Sequence, residues 1–153
     1  MTDRHFHLRL NCNYESKDNN FTDLAVEIHL GGEWKPLHLS VKSPGFLLLV
    51  YGLFACQHLY MRTNSAERNL ILESATGELK LTADELWAIK HVAIDFNVKL
   101  KSGRPTDDDI AYIIDRMGHC PVSTNIPAHI DRKSSVHFEA AYAIPETTDT
   151  APF

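Results

Sequence analysis

The chain has 153 residues, of which 44% are hydrophobic and 23% are charged, and its formal net charge is −5 at pH 7. This size and composition are typical of a globular protein with one hydrophobic core, so we expect a single domain over residues 1–144 and a flexible tail over residues 145–153. The acidic balance and the scattered basic residues argue against a nucleic-acid-binding surface. The first ten residues lack the apolar stretch of a secretory signal, which favours a cytoplasmic protein.

The first forty residues show the alternation that is typical of half-buried strands. Apolar and polar residues alternate over residues 5–12, 24–30 and 34–41, which predicts three strands with one inward face each. The glycine pair at 31–32 predicts a tight turn between the second and third strands. Pro36 lacks a backbone donor, so we expect the third strand at an edge of the sheet. The residues of the third strand that are expected to face inward are Leu37, Leu39 and Val41.

An apolar stretch over residues 46–61 predicts a buried helix. Pro44 suits the first turn of a helix, because the N–H that proline lacks would be unpaired there in any case. A helix that is apolar on nearly every side belongs in a protein core or in a membrane. Gln57 and His58 interrupt the stretch and leave it short of the ~20 residues that a membrane span needs. We therefore predict a central core helix, which a second subunit could bury further.

The second half of the chain predicts more strands and one more helix. Residues 69–81 predict short strand pieces around a turn at Gly77, and the strict alternation over residues 92–100 predicts one regular strand. Thr106 suits a helix N-cap, and the three aspartates that follow it suit the positive end of a helix dipole. A last strand is predicted over residues 135–144. Two helices packed on antiparallel sheets make this an α+β protein.

The three cysteines, Cys12, Cys56 and Cys120, fit neither a disulfide framework nor a CxxC zinc pattern. Cys12 shares the inward side of the first strand, so core packing is its simplest interpretation. Cys56 lies in the last third of the apolar helix, and Cys120 lies at the end of the second helix or in a restart of it. By position alone, each of these would be expected to be a small core residue, because isolated cysteines usually are.

The segments around Cys56 and Cys120 resemble the OsmC/Ohr family of hydroperoxide reductases. Residues 43–56, SPGFLLLVYGLFAC, are similar to the family's SP-x-E-LLL…AC helix, which carries the peroxidatic cysteine. Residues 119–123, HCPVS, are similar to its CPVS motif, which carries the second cysteine. The order of strands and helices over residues 20–144 also resembles the family's order. The pair of motifs in this order is more specific than either motif alone.

The resemblance implies an OsmC-like fold, built as an intertwined homodimer with two sites at the interface. It implies that Cys56 attacks the O–O bond of an organic hydroperoxide and becomes a sulfenic acid. Cys120 would then condense with Cys56 to a disulfide, which a dithiol reductant would reset, without cofactor or metal. General chemistry agrees, because a thiolate is the nucleophile and a sulfenic acid condenses with a nearby thiol. The apolar residues expected to favour a bulky peroxide are Phe46, Leu49, Leu53, Phe54 and Tyr60.

Two features depart from the family's pattern. The family holds its activating arginine with a glutamate two residues after the helix proline, and Phe46 stands at that position here. The predicted hairpin over residues 11–20 contains no arginine, and Lys17 is its only cation. His58 and His119 are therefore the substitute candidates for stabilising a thiolate, because a nearby positive charge favours the charged form.

Two other functions fit the same residues. A non-catalytic protein of this fold would bind a hydrophobic ligand in an apolar pocket at the interface, and the missing glutamate and arginine favour that alternative. A metal site made of Cys56, His58, His119 and Cys120 would suit zinc or copper, because both metals accept thiolate and imidazole ligands. The spacing of these four residues matches no standard zinc motif.

Overall fold

The computed structural model describes residues 2–140, and they form a mixed α+β structure. Six strands and two helices follow one another in the order β1 (Arg4–Glu15), β2 (Asn20–Leu30), β3 (Glu33–Pro36), α1 (Gly45–Glu67), β4 (Ile71–Ala83), β5 (Ile89–Ser102), α2 (Asp107–Met117) and β6 (Asp131–Glu139). The predicted α+β class is confirmed. The tail predicted over residues 145–153, and the last four residues of the predicted final strand, lie outside the described residues.

All six strands belong to one sheet with the order β3-β2-β1-β4-β5-β6. Neighbouring strands are antiparallel except β5 and β6, which are parallel. The prediction of purely antiparallel sheets was therefore wrong for the last pair. The reason is that α2 lies between β5 and β6 in the chain, and a helical crossover returns the chain in the same direction. Both helices contribute to one core on one face of the sheet.

The inward face of β1 agrees with the predicted alternation, since Leu8, Leu10 and Cys12 are all buried. The third strand does not agree, because β3 ends at Pro36 and Val41 is 98% exposed. Pro36 does lie in the edge strand, as expected from its missing donor.

Gly77 is not at a turn, because it lies inside the continuous strand β4. A Cβ atom at this position would lie 2.6 Å from the ring of Phe96 on β5. The glycine therefore serves close packing, and the large ring fills the space that a side chain would occupy. Glycine occurs both in turns and where a neighbouring side chain packs closely on the backbone, so the sequence alone did not distinguish the two here.

The helix predicted over residues 46–61 forms and is longer, since α1 spans 23 residues. It is not buried on all sides within one chain. Leu48, Ala55 and Leu59 are exposed, with Leu48 at 37% and Leu59 at 42%, and the partly exposed Gly52 lies between them. Their spacing places these four residues on one side of the helix. No helix among residues 2–140 is both long and apolar enough to cross a membrane.

The start of α2 agrees with its predicted N-cap. The Thr106 hydroxyl accepts the backbone N–H of Asp109 at 3.0 Å, and the Asp109 carboxylate accepts the N–H of Thr106 at 2.9 Å. The helix ends at Met117, so it does not continue through Cys120. Cys120 instead precedes a short 3-10 helix over Ser123–Asn125. This turn points the cysteine back toward α1.

Candidate active site

The structure brings Cys56 and Cys120 together, although 64 positions separate them in the sequence. Packing of α1 against α2 and the turn after it places Cys120 close to Cys56, where it raises the pKa of the Cys56 thiol. Cys12 is elsewhere, on the inward face of β1, and its thiol donates to the carbonyl of Asn13 at 3.6 Å. Core packing remains the interpretation of Cys12.

The turn after Cys120 meets both sulfurs through its backbone. The N–H of Ser123 donates to Sγ of Cys120 at 3.3 Å. The backbone of Val122 lies close enough to Cys56 to lower the pKa of its thiol. The turn therefore lies against both members of the pair.

Cys120 is fully buried, at 0% exposure, and receives a second donor from the side chain of Gln57. The Gln57 carboxamide nitrogen lies 3.4 Å from Sγ of Cys120 and 2.6 Å from the carbonyl oxygen of Met117. Its oxygen accepts the hydroxyl of Ser134 on β6 at 2.9 Å. The network thus connects α1, the end of α2 and β6.

Gln57 was missed as a site residue in the sequence, where it was treated as an interruption of an apolar helix. It is 1% exposed, and a buried amide needs hydrogen-bond partners. A single amide inside an apolar helix was the signal that could have pointed to a buried polar network.

Cys56 is half-buried, and burial is the main cause that raises the pKa of its thiol to about 11. The neighbouring Cys120 raises the pKa further, and the backbone of Val122 opposes both effects. Among residues 2–140, no cation is a cause of this shift. At pH 7 such a thiol is almost entirely protonated, so it is a weak nucleophile until it loses its proton.

Neither histidine proposed as a substitute cation has that role within the chain. His58 is buried, and its Nε2 lies 2.6 Å from the hydroxyl of Tyr14 on β1. Burial, assisted by Arg62, lowers the pKa of His58 to about 4, so the ring is neutral at pH 7. His119 is exposed, and its Nδ1 is 2.9 Å from the carbonyl oxygen of Asp115.

The arrangement of these residues also argues against the metal alternative. Within residues 2–140, no group of three or more histidine, cysteine, aspartate or glutamate side chains is placed to hold a metal ion. Cys56 and Cys120 meet, but His58 bonds to Tyr14 and His119 lies at the surface. The four residues suggested by the sequence do not converge.

An apolar cavity of about 490 Å³ lies beside the cysteine turn. Its lining comes from α1, two strands and the turn, and consists of Leu49, Val50, Leu53, Leu81, Ile89, Pro121, Val122, Asn125, Ile126 and Pro127. Of the five apolar residues expected to form walls, Leu49 and Leu53 line it. Phe54 lines a smaller cavity of about 240 Å³ near His58, and Phe46 packs against Phe6 and Trp87. Tyr60 packs against the hydrophobic core.

Solved structures resemble this fold more clearly than any sequence does. No family model matches the chain, and no curated protein sequence matches it. An OsmC-like hydroperoxide resistance protein from Jannaschia sp. CCS1 superposes with a TM-score of 0.52 at 15% identity, over 79% of this chain and 85% of the other. The chain has the OsmC-like fold.

A second neighbour with this fold is a protein from Psychrobacter arcticus that is named for osmotic stress induction and a detoxification response. It has a TM-score of 0.52 and 14% identity, over 74% of this chain and 87% of the other. The resemblance seen in the two cysteine motifs is thus confirmed at the level of the fold. At 14–15% sequence identity, the similarity between these backbones does not show which side chains react.

Proposed function

We propose that this OsmC-like chain is a thiol-dependent reductase of organic hydroperoxides, with Cys56 as the peroxidatic cysteine and Cys120 as the resolving cysteine. The observation that supports this proposal most directly is that Cys120 lies near enough to Cys56 to raise the pKa of its thiol. A neighbour of the same fold is named as a hydroperoxide resistance protein, which fits such a role. Half-burial of Cys56 leaves it the more accessible of the two, since Cys120 is fully enclosed.

The proposed reaction uses only the two cysteines, the peroxide and an external dithiol. The Cys56 thiolate attacks one peroxide oxygen, the O–O bond breaks, and the alkoxide leaves and takes up a proton as an alcohol. The sulfur of Cys120 then attacks Cys56–SOH, so that an S–S bond forms and the hydroxyl leaves as water. A dithiol reductant, oxidised in turn, restores both thiols by exchange.

The cavity beside the turn supports an organic rather than an inorganic peroxide. Its lining is almost entirely apolar, and Val122 belongs to this lining while its backbone lies near Cys56. Burial of apolar substituents in such a cavity stabilises binding by about 25 cal/mol per Å² of surface removed from water. An alkyl or aryl hydroperoxide gains this contribution, whereas hydrogen peroxide does not.

The decisive experiment treats the protein with one equivalent of cumene hydroperoxide and measures free thiols and intact mass. Wild type should lose two thiols, Cys120→Ser should retain a sulfenic acid that dimedone traps, and Cys56→Ser should keep its thiols. Cys12→Ala is the matched control, because Cys12 lies apart from the pair and its removal should leave the two-thiol loss unchanged. Retention of all thiols by wild type would refute the peroxidase proposal.

We further propose that the functional unit is a homodimer that forms through the exposed apolar side of α1. Leu48, Gly52, Ala55 and Leu59 form a stripe on this side, with small residues between two leucines. Small residues let two helix backbones approach closely, and the flanking leucines supply apolar area. Cys56 follows Ala55 directly, so a second copy seated here would bury the cysteine pair further.

Sedimentation equilibrium tests the dimer. The wild-type chain should sediment at twice its mass, and Ala55→Arg should shift it to the monomer, because a guanidinium group in the middle of an apolar interface is costly to bury. Glu67→Arg, at the exposed end of the same helix, is the control for an added charge and should leave the mass unchanged. A monomeric wild type at high micromolar concentration would rule out this interface.

The second candidate is a non-catalytic protein that binds a hydrophobic ligand, and the raised pKa of Cys56 favours it. A thiol with a pKa of about 11 reacts slowly at neutral pH, while the apolar cavity exists whether or not the cysteines react. In that case an apolar fluorescent probe should bind equally to wild type and to Cys56→Ser. Leu53→Arg, which places a charge in the cavity wall, should abolish binding.

A further inference from the structure

The carboxamide of Gln57 has only one chemically consistent orientation. The carbonyl oxygen of Met117 can only accept, so the group 2.6 Å from it must be the NH₂ of Gln57. The opposite end, the Gln57 oxygen, then accepts the hydroxyl of Ser134 at 2.9 Å. The second hydrogen of the same NH₂ group is left to point at Sγ of Cys120, 3.4 Å away. The sulfur of Cys120 therefore faces an N–H donor, because the amide of Gln57 cannot be flipped.

The backbone N–H of Ser123, 3.3 Å from the same sulfur, is a second donor that cannot act as an acceptor. A neutral thiol is a weak acceptor, whereas a thiolate is a strong one, so two fixed donors favour the charged form. Arg132 of β6 adds positive charge to this turn, because its guanidinium donates to the carbonyl oxygen of Ser123 at 2.7 Å. Cys56 is the titratable group that faces Cys120 from α1, and the ring of His119 is turned to the surface.

We propose that Gln57 stabilises Cys120 as the thiolate of the cysteine pair and thereby prepares it for the disulfide-forming step. This inference rests on the proposed function for its catalytic consequence, but the charge distribution it describes can be measured without any peroxide. In the step itself, the Cys120 thiolate attacks the sulfur of Cys56–SOH, the S–O bond breaks, and the leaving hydroxide takes up a proton to become water. The electron pair for the new S–S bond comes from Cys120.

The inference assigns the two cysteines opposite electrostatic environments. Burial disfavours a negative charge on both sulfurs, and no hydrogen bond of a fixed donor to Cys56 Sγ is observed within residues 2–140 to offset it. Cys120 has a side-chain donor and a backbone donor on its sulfur. A larger fraction of Cys120 is then in the thiolate form when the sulfenic acid forms, so disulfide formation is faster.

The test is a thiolate titration by absorbance at 240 nm in a Cys12→Ala/Cys56→Ser background, where Cys120 is the remaining thiol. Gln57→Leu should raise the titration midpoint of Cys120 by about one pH unit, because one hydrogen bond to a charged group is lost. Ser134→Ala, which frees the other end of the amide without touching either cysteine, should shift it in the same direction by less. Asn64→Leu is the control, because this buried amide on the same helix bonds to the carbonyl of Tyr60 and not to a cysteine.

An unchanged midpoint in folded Gln57→Leu and in Ser134→Ala would overturn the inference, and so would an equal shift in Asn64→Leu. The kinetic consequence is measured separately in the protein with both cysteines. Gln57→Leu should form sulfenic acid no more slowly than wild type but close the disulfide about tenfold more slowly at pH 7, in line with a one-unit change in pKa. If no variant reacts with peroxide, the proposed peroxidase function fails while the titration still decides the role of Gln57.

Discussion

Three consecutive residues of α1, Cys56, Gln57 and His58, face two very different environments. Because successive helix residues are rotated by about 100°, they project toward different neighbours. Cys56 and Gln57 face the turn after α2, where amide donors and a second cysteine gather around sulfur. His58 faces β1, where it meets the hydroxyl of Tyr14 among apolar side chains. We call these the cysteine side and the hairpin side of α1.

The comparison shows how one helix can bury polar groups for different purposes. On the hairpin side, burial raises the pKa of Tyr14 and lowers that of His58, so both groups stay neutral and satisfy each other. On the cysteine side, the fixed groups around Cys120 are donors, which suits a negative charge. We therefore expect the hairpin side to serve stability, and under the proposed function the cysteine side serves chemistry.

The largest effect that we expect in a test of the two sides of α1 is the pH dependence of the alkylation rate of Cys56. Since burial raises its pKa to about 11, the thiolate fraction should grow about tenfold per pH unit, or about a thousandfold from pH 7 to pH 10. Alkylation by iodoacetamide, followed on the Cys56 peptide by mass spectrometry, measures it. Glutathione in the same samples is the control and should level off near its own, lower pKa. A plateau for Cys56 below pH 9 would contradict the assigned pKa.

The next effect concerns the stability of the hairpin side in acid. The pKa of His58 is about 4 in the folded chain and near 6.5 when unfolded, so the unfolded state binds the proton more strongly. The stabilisation is complete above pH 6.5 and is lost as the pH falls toward 4, by up to about 3 kcal/mol. Urea unfolding at pH 7 and at pH 4.5 measures the difference.

The matched control for the acid experiment is the Tyr14→Phe/His58→Phe double variant, which removes the buried titratable pair together. Its free energy of unfolding should change less between pH 7 and pH 4.5 than that of wild type. Equal acid sensitivity in the two proteins would show that the loss comes from other groups, such as the exposed histidines, and not from His58.

The sequence predicted the parts of this architecture that depend on local pattern. The regular alternation over 92–100 and the N-cap at Thr106 both correspond to observed elements, since β5 and α2 form there. The prediction of a turn at Gly77 was wrong because the role of this glycine depends on Phe96, a residue on another strand. The prediction of antiparallel pairing was wrong for β6, because strand direction depends on the path of the chain in space and not on alternation.

The candidate site shows the same division between local and distant information. Two short motifs were sufficient to select Cys56 and Cys120, but no pattern in the sequence linked Gln57 to Ser134, 77 positions later. His58 was proposed as a cation, and its pairing with Tyr14 across the core removes that role. Charges and hydrogen bonds at the site depend on such distant pairs, so they became visible only in the fold.

The smallest effect that we predict is the loss of stability when a single hydroxyl is removed from the hairpin side. Tyr14→Phe keeps the ring but removes the hydroxyl that is hydrogen-bonded to Nε2 of His58, and a buried nitrogen without a partner costs about 2 kcal/mol. Urea unfolding at pH 7 measures this loss. The thiolate titration of Cys120 and the alkylation rate of Cys56 should stay at wild-type values in the same variant, because the hydroxyl is bonded to His58 and to neither of these cysteines. A shift in either cysteine would mean that the two sides of α1 are coupled through the helix, and the separation of stability from chemistry would not hold.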